Sequence, residues 1–338
     1  LKKILMMLSF MVLVVLTACG GSENVSGENG EEKKLDKIVF ADAGWDSIRV
    51  HNAIAANVFE HGYGYETSVT NGSSAATLTG LREGDINVYM EVWTDNMKKV
   101  YGEAIESGDI KKLSTNFDDN KQGLWVPTYV IEGDQERGIE PMAPDLKTMK
   151  DLEKYKNVFQ DPEDPSKGRI VGAPSGWLLS EYLDTKVDTY GLREEYNYFR
   201  PGSDSAIITS LAAAYEDGKP WVGYYWSPSW VTSMYDLTLL EEPEFNEETW
   251  EKNKGTEFPP NDVVVAVHKD FPEQAPELTK FLEQYETSSA LTGETLVYMK
   301  ENEASAEEAA VWWMKKHEDL WTKWLPEDVA KKVKEGIK

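Results

Sequence analysis

An internal repeat constrains the fold more than any other feature. Lys37-Ile-Val-Phe-Ala-Asp-Ala-Gly-Trp45 returns 132 residues later as Arg169-Ile-Val-Gly-Ala-Pro-Ser-Gly-Trp177. Gly72-Ser-Ser-Ala-Ala-Thr-Leu78 returns as Gly202-Ser-Asp-Ser-Ala-Ile-Ile208, at an offset of 130. Gly84-Asp-Ile86, with Trp93 after it, returns as Gly218-Lys-Pro220 followed by Trp226, at 133–134. Each match is short. Their shared order and near-constant spacing make one duplicated unit of them.

The unit reads as strand, turn, helix. Residues 37–41 are β-prone, and 46–60 place apolar side chains at helical spacing up to the breaker pair His61-Gly62. Residues 63–70 alternate and end at Asn71-Gly72; 73–82 form a small-residue helix and 86–92 a further strand. Alternating strands and helices build mostly parallel sheets covered by helices, so two copies predict an α/β chain of two similar lobes. Ligand sites of such sheets lie beyond the carboxyl ends of the strands. Trp45 and Trp177 follow the first strand of each copy, and Trp93 and Trp226 a later one. Two facing lobes would therefore bring four indoles to one cleft. The strand-like stretches 122–131 and 261–267 flank the second copy and are expected to cross between lobes. The expected division is 36–130 with 262–338 for lobe I, and 131–261 for lobe II.

Ahead of the repeat lies an export signal. Lys2 and Lys3 precede an apolar run over residues 4–18. At about 1.5 Å per residue the run reaches roughly 22 Å, short of the ~30 Å hydrocarbon core. A signal peptide is expected over 1–18, not a membrane span. It ends Leu16-Thr17-Ala18-Cys19, the pattern of a bacterial lipobox, and Cys19 is the chain's only cysteine. Diacylation of Cys19 would anchor the protein stably, since two acyl chains suffice where one does not. Residues 19–35, rich in Gly, Ser, Asn and Glu, read as a flexible tether. The expected location is the extracytoplasmic face of the cell membrane.

Composition narrows the function. A net charge of −25 argues against nucleic acid and anionic membrane surfaces as partners. One Cys and four His, without a zinc-protease motif, give no metal centre, and no nucleophile motif points to catalysis. Neither cofactor nor enzyme activity is expected. Of the 12 tryptophans, Trp312, Trp313, Trp321 and Trp324 fall on an expected helix over 307–325, opened by a Ser305…Glu308 capping box and stopped by Pro326. Their spacing predicts packing, and Trp125, Trp221, Trp230 and Trp250 are also read as structural. The four cleft indoles suit a quaternary ammonium, which has no N–H to donate. Three or four desolvated faces supply about 6–8 kcal/mol gross, enough for micromolar binding after lobe closure. Asp42, Asp46, Glu91 and Asp95 lie nearby in sequence and are expected to face solvent. A carboxylate in the cleft would instead favour a cation without its own carboxylate, such as choline. Glu91 and Asp95 beside indoles also allow a remote alternative, a secreted glycoside hydrolase.

Three segments resemble the substrate-binding proteins of ABC importers for glycine betaine and proline betaine. Trp93-Thr94-Asp95-Asn96-Met97 resembles that family's Trp-Thr-Pro segment, without its Pro. Ala173-Pro174-Ser175-Gly176-Trp177 resembles its Pro-Gly-Trp turn. Gly223-Tyr-Tyr-Trp226-Ser-Pro-Ser-Trp230, followed by Tyr235-Asp236-Leu237, resembles its Trp-Thr-Pro-x-Trp segment. The resemblance implies a periplasmic-binding-protein-like clamshell of type II, a cage of Trp93, Trp177 and Trp226, and an ABC permease with its ATPase as partners. Trp45 joins the cage on the repeat alone. The resemblance also implies that the ligand carboxylate meets the backbone N–H groups of Leu178 and Leu179, at an expected helix N-terminus. Some members add a His four residues after the first cage Trp, where this chain has Met97. Choline or carnitine binding, or a sensing role, is the alternative.

Overall fold

The computed structural model describes Leu35 and residues 37–338. The expected signal peptide, Cys19 and all of the tether but Leu35 lie outside the described residues. Strands β1 (Lys37–Asp42), β2 (Glu66–Asn71), β3 (Val88–Trp93) and β4 (Ile110–Phe117) come from the first copy of the repeat. Then follow β5 (Lys121–Pro127), β6 (Gly168–Val171), β7 (Tyr196–Phe199), β8 (Gly223–Ser227), β9 (Leu237–Leu239) and β10 (Val263–His268). One sheet has the order β2-β1-β3-β10-β4 and the other β7-β6-β8-β5-β9. The two layouts are the same. In each, three parallel strands are followed by one antiparallel strand taken from the other copy.

That exchange corrects one boundary. β5 pairs with β8 and β9 of the second sheet, from Lys121↔Ser227 onward, so the expected lobe I limit at residue 130 falls too late. The chain passes to the second sheet between Phe117 and Lys121 and returns before Val263. The apolar run in β10, Val263 to Val267, is buried on both faces, as a strand inside a covered sheet must be. Its sequence marks a strand; which sheet it joins is a long-range pairing with no local signature.

The duplicated phrases form matching local structures. Ser73 and Ser203 are both N-caps, accepting the N–H of Ala76 at 3.3 Å and of Ala206 at 3.2 Å. They open the helices Ser74–Glu83 and Asp204–Glu216. The helices Asp46–Asn57 and Leu179–Thr189 follow the first strand of each copy.

The expected helix over 307–325 is broken. Its capping box at Ser305 and Glu308 is present, but the helix Ala306–Lys316 stops at His317, where φ −112° and ψ 38° turn the chain into Glu318–Trp321. An unbroken helix would carry Trp321 about 12 Å beyond Trp313. The break folds it back, so that its indole N–H reaches the Met314 carbonyl at 2.7 Å. Trp313 and Trp321 are buried, Trp312 stacks on Tyr298 at 4.3 Å, and Trp324 lies 5.0 Å from Tyr285. Among the described residues no helix is long and apolar enough to cross a membrane.

Candidate functional site: an aromatic cavity between the lobes

The loop after β1 is built to present an indole. The Asp42 carboxylate accepts the Gly44 N–H at 2.8 Å and pairs with Arg49 Nε at 2.9 Å; Arg49 also holds Asp46 at 3.0 Å. Gly44 has φ +101°, a conformation that glycine adopts without steric cost. Trp45 follows as the N-cap of Asp46–Asn57. In the second lobe the Trp177 N–H closes a turn onto the Pro174 carbonyl at 2.9 Å. Gly176, the repeat partner of Gly44, is needed for space. A Cβ there would lie 2.9 Å from the Ser73 Cβ of the facing lobe. Trp93 ends β3, and Trp226 lies on β8.

All four indoles line one cavity, together with Leu178 and Leu179. Trp45 and Trp177 meet edge to face with centroids 5.7 Å apart, and Trp177 and Trp226 do so at 5.3 Å. Trp93 packs edge to face on Phe117 at 5.9 Å, which fixes its orientation from behind. Each of these tryptophans is only 5 to 7 % exposed. The Ser74 hydroxyl reaches the Gly176 carbonyl at 3.5 Å, and Tyr224 and Met97 complete the lining.

The polar groups divide into donors and one buried acid. Leu178 and Leu179 open the helix Leu179–Thr189, and among the described residues neither backbone N–H is paired. Asn96, which the sequence did not single out, adds a side-chain donor. The Asp95 N–H can only donate, and it does so to Asn261 Oδ1 at 3.1 Å. Asn261 Nδ2 therefore donates to Asn96 Oδ1 at 3.0 Å, and Gln122 Nε2 adds a second bond at 2.9 Å. With Oδ1 doubly engaged, Asn96 keeps its Nδ2 group for the cavity it lines. The same network joins both lobes through β5, where Gln122 also accepts the Tyr224 hydroxyl at 2.9 Å.

The four acids behave differently from one another. Asp42 and Asp46 are engaged with Arg49, and Asp42 is buried instead of facing solvent as expected; Asp95 lies beside Thr94 outside the cavity lining. Glu91 does not face solvent as expected: it is fully buried on β3. Its Oε1 accepts the Ser47 hydroxyl at 2.9 Å and the Trp93 indole N–H at 3.0 Å. Burial pushes its carboxyl up to about 8, although Ser47, Trp93 and Trp45 each act in the opposite direction. Glu91 and Asp95 share no open face, so the carboxylate pair that a glycoside hydrolase needs is not assembled.

The family described as the substrate binding domain of ABC-type glycine betaine transport systems matches residues 36–316. The chain is 24% identical over 325 residues to a trimethylamine N-oxide-binding protein of Pelagibacter ubique, covering 95% of this chain and 99% of that one. It is 23% identical to the glycine betaine/proline betaine-binding periplasmic protein of Escherichia coli, over 75% of this chain and 78% of that protein. Among solved structures, an ABC-transporter choline-binding protein in complex with choline superposes with a TM-score of 0.72 at 21% identity, covering 90% and 98% of the two chains. Lactococcal OpuAC, closed around glycine betaine, does so at 0.68 and 20% identity, covering 86% and 100%. At these identities the structures establish the fold: two α/β lobes, each with a mixed sheet.

Proposed function

The chain belongs to the family of substrate-binding domains of ABC-type glycine betaine transport systems, and we propose that it captures a quaternary ammonium osmolyte of the glycine betaine or proline betaine kind. The observation that carries this reading is the convergence of Trp45, Trp93, Trp177 and Trp226 on one cavity that also holds unpaired N–H donors. Indole faces attract a cation that cannot donate a hydrogen bond. Leu178 N–H, Leu179 N–H and Asn96 Nδ2 offer an oxygen of the same ligand its partners, at a helix N-terminus where negative charge is favoured. The ligands named for the relatives, trimethylamine N-oxide, glycine betaine, proline betaine and choline, share a fully substituted nitrogen. Lobe I comprises residues up to Phe117 and from Val263 onward, and lobe II the strands between.

Closing the lobes on ligand would complete the surface read by a permease and its ATPase. A diacylated Cys19 would hold the protein at the extracytoplasmic face. Cys19→Ser is then expected to release it into the soluble fraction; retention in the membrane would remove the anchor from this reading. The central test is titration with glycine betaine, proline betaine, choline and carnitine, followed by tryptophan fluorescence. Saturable quenching or a blue shift with at least one of them is expected, and no response to any would overturn the proposal.

A further inference from the structure

Glu91 is buried without a cation. Its carboxyl holds Ser47 and the cage indole Trp93, its Oε2 has no hydrogen-bond partner, and the Trp45 indole N–H acts on it without reaching full hydrogen-bond geometry. No Lys, Arg or His is among the groups that shift it. A buried carboxyl is ordinarily paired with a base or shielded by a full set of donors. This one is neither. It sits at the N–H edges of two indoles that line the cavity.

We propose that Glu91 is a counter-charge of the cage that ligand binding switches on: a cation held by Trp45 and Trp93 completes an ion pair with the carboxyl at their N–H edges, so ligands with net positive charge gain more from it than zwitterions do. The proposal rests on the quaternary ammonium reading above and adds to it the residue that sets the ligand's net charge. Two effects act together. The carboxylate attracts the ligand nitrogen through a low-dielectric wall, and its hydrogen bond to the Trp93 N–H makes that ring more electron-rich toward the cation. A zwitterion gains the same attraction but brings its own carboxylate into the field of Glu91, which offsets part of it.

A proton is linked to binding. Glu91 is protonated in much of the free protein at neutral pH, and a cation in the cage favours its ionised form, so binding expels the proton to solvent. Affinity for a pure cation then rises with pH. The other titratable groups facing Glu91 stay silent over pH 6 to 9. Tyr89 on β3 and Tyr285 are pushed up by burial, and His51, bonded to Tyr285 at 2.8 Å, is driven down to about 3 by burial.

Calorimetric titration with tetramethylammonium and with glycine betaine tests the proposal in the wild-type protein and in Glu91→Gln. Wild-type affinity for tetramethylammonium is expected to rise about tenfold or more between pH 6 and 9, with proton release visible as a buffer-dependent heat, and to rise less for glycine betaine. Glu91→Gln is expected to flatten that profile and, at pH 8.5, to weaken tetramethylammonium about tenfold and glycine betaine about threefold or less. Equal losses for the two ligands, or a flat wild-type profile, would overturn this proposal alone. Failure of wild type to bind either ligand would overturn the underlying reading as well. Should Glu91→Gln not fold, the wild-type pH series and its buffer heats decide the matter without it.

Discussion

Asn96 shows how much of a site escapes a reading along the chain. The four indoles announce themselves, because the repeat places Trp45 opposite Trp177 and Trp93 opposite Trp226 in register. Asn96 sits between Asp95 and Met97 with no pattern around it, and its role follows from the Asp95 N–H, which orients Asn261 and through it Asn96. Asn96→Asp keeps the acceptor for Gln122 and Asn261 but puts a carboxylate oxygen where Nδ2 stood. Binding of glycine betaine is expected to weaken by about 1.5–3 kcal/mol, the range for a hydrogen bond to a charged group, while tetramethylammonium loses nothing. Isothermal titration of both ligands checks this; a parallel loss would remove Asn96 from the ligand's contacts. Trp177→Ala is expected to weaken either ligand about tenfold or more, since it removes one desolvated face and unseats the two rings it touches. Glu91, like Asp42, is a residue for which the usual habit of acidic side chains misleads. The sequence offers a Glu on a strand, and only the helix packed over that strand buries it.

At the scale of elements, the two glycines of the repeat separate conformation from contact. Gly44 needs its positive φ and has open space around it, so Gly44→Ala is expected to cost about 1–2 kcal/mol of stability. Gly176 has no such φ, but its missing Cβ is what lets the loop approach Ser73 of the facing lobe. Gly176→Ala is therefore expected to leave unfolding of the free protein nearly unchanged, to lower ligand affinity about tenfold, and to enlarge the liganded particle in solution scattering. A stability loss matching that of Gly44→Ala would contradict the distinction. The strands and helices with local signals were legible: β1 and its helix, the small-residue helix after Gly72, the capping box at Ser305. That β5 and β10 cross between lobes was legible too, but not the strands they pair with, which lie far along the chain, nor the break at His317, which serves a packing contact of Trp321.

For the whole molecule, folding places two acids with raised pKa values where water does not reach. Glu91 lies behind the cavity, and Asp204, the repeat partner of Ser74, is nearly buried with its carboxyl pushed up to about 8 by burial and by Asp46 of the other lobe. A carboxyl whose pKa is raised by folding holds a proton that unfolding releases, so its contribution is present at low pH and is lost as pH rises through the folded value. His51, lowered by burial from 6.5 to about 3, has the opposite sign but acts only below its unfolded value. Between about pH 6.5 and 8 the two acids dominate this balance, and the melting temperature of the ligand-free protein is expected to fall across that window. Asp204→Asn should flatten the fall. Melts in one buffer series check it; an unchanged slope would mean that Asp204 titrates as an ordinary surface acid.

The sequence by itself determined that the chain is a duplicated α/β unit and that four tryptophans, side chains whose faces suit a cation without N–H, stand at equivalent ends of its strands. These are periodic or repeated features, and periodicity is written locally. Only the tertiary structure decided which strands β5 and β10 pair with, which amide end Asn96 turns to the cavity, and that Glu91 lies uncompensated at the indole N–H edges. Each of those is a relation between residues distant in the chain. The pairing of a hydrogen bond or the burial of a charge is settled by what the fold brings alongside.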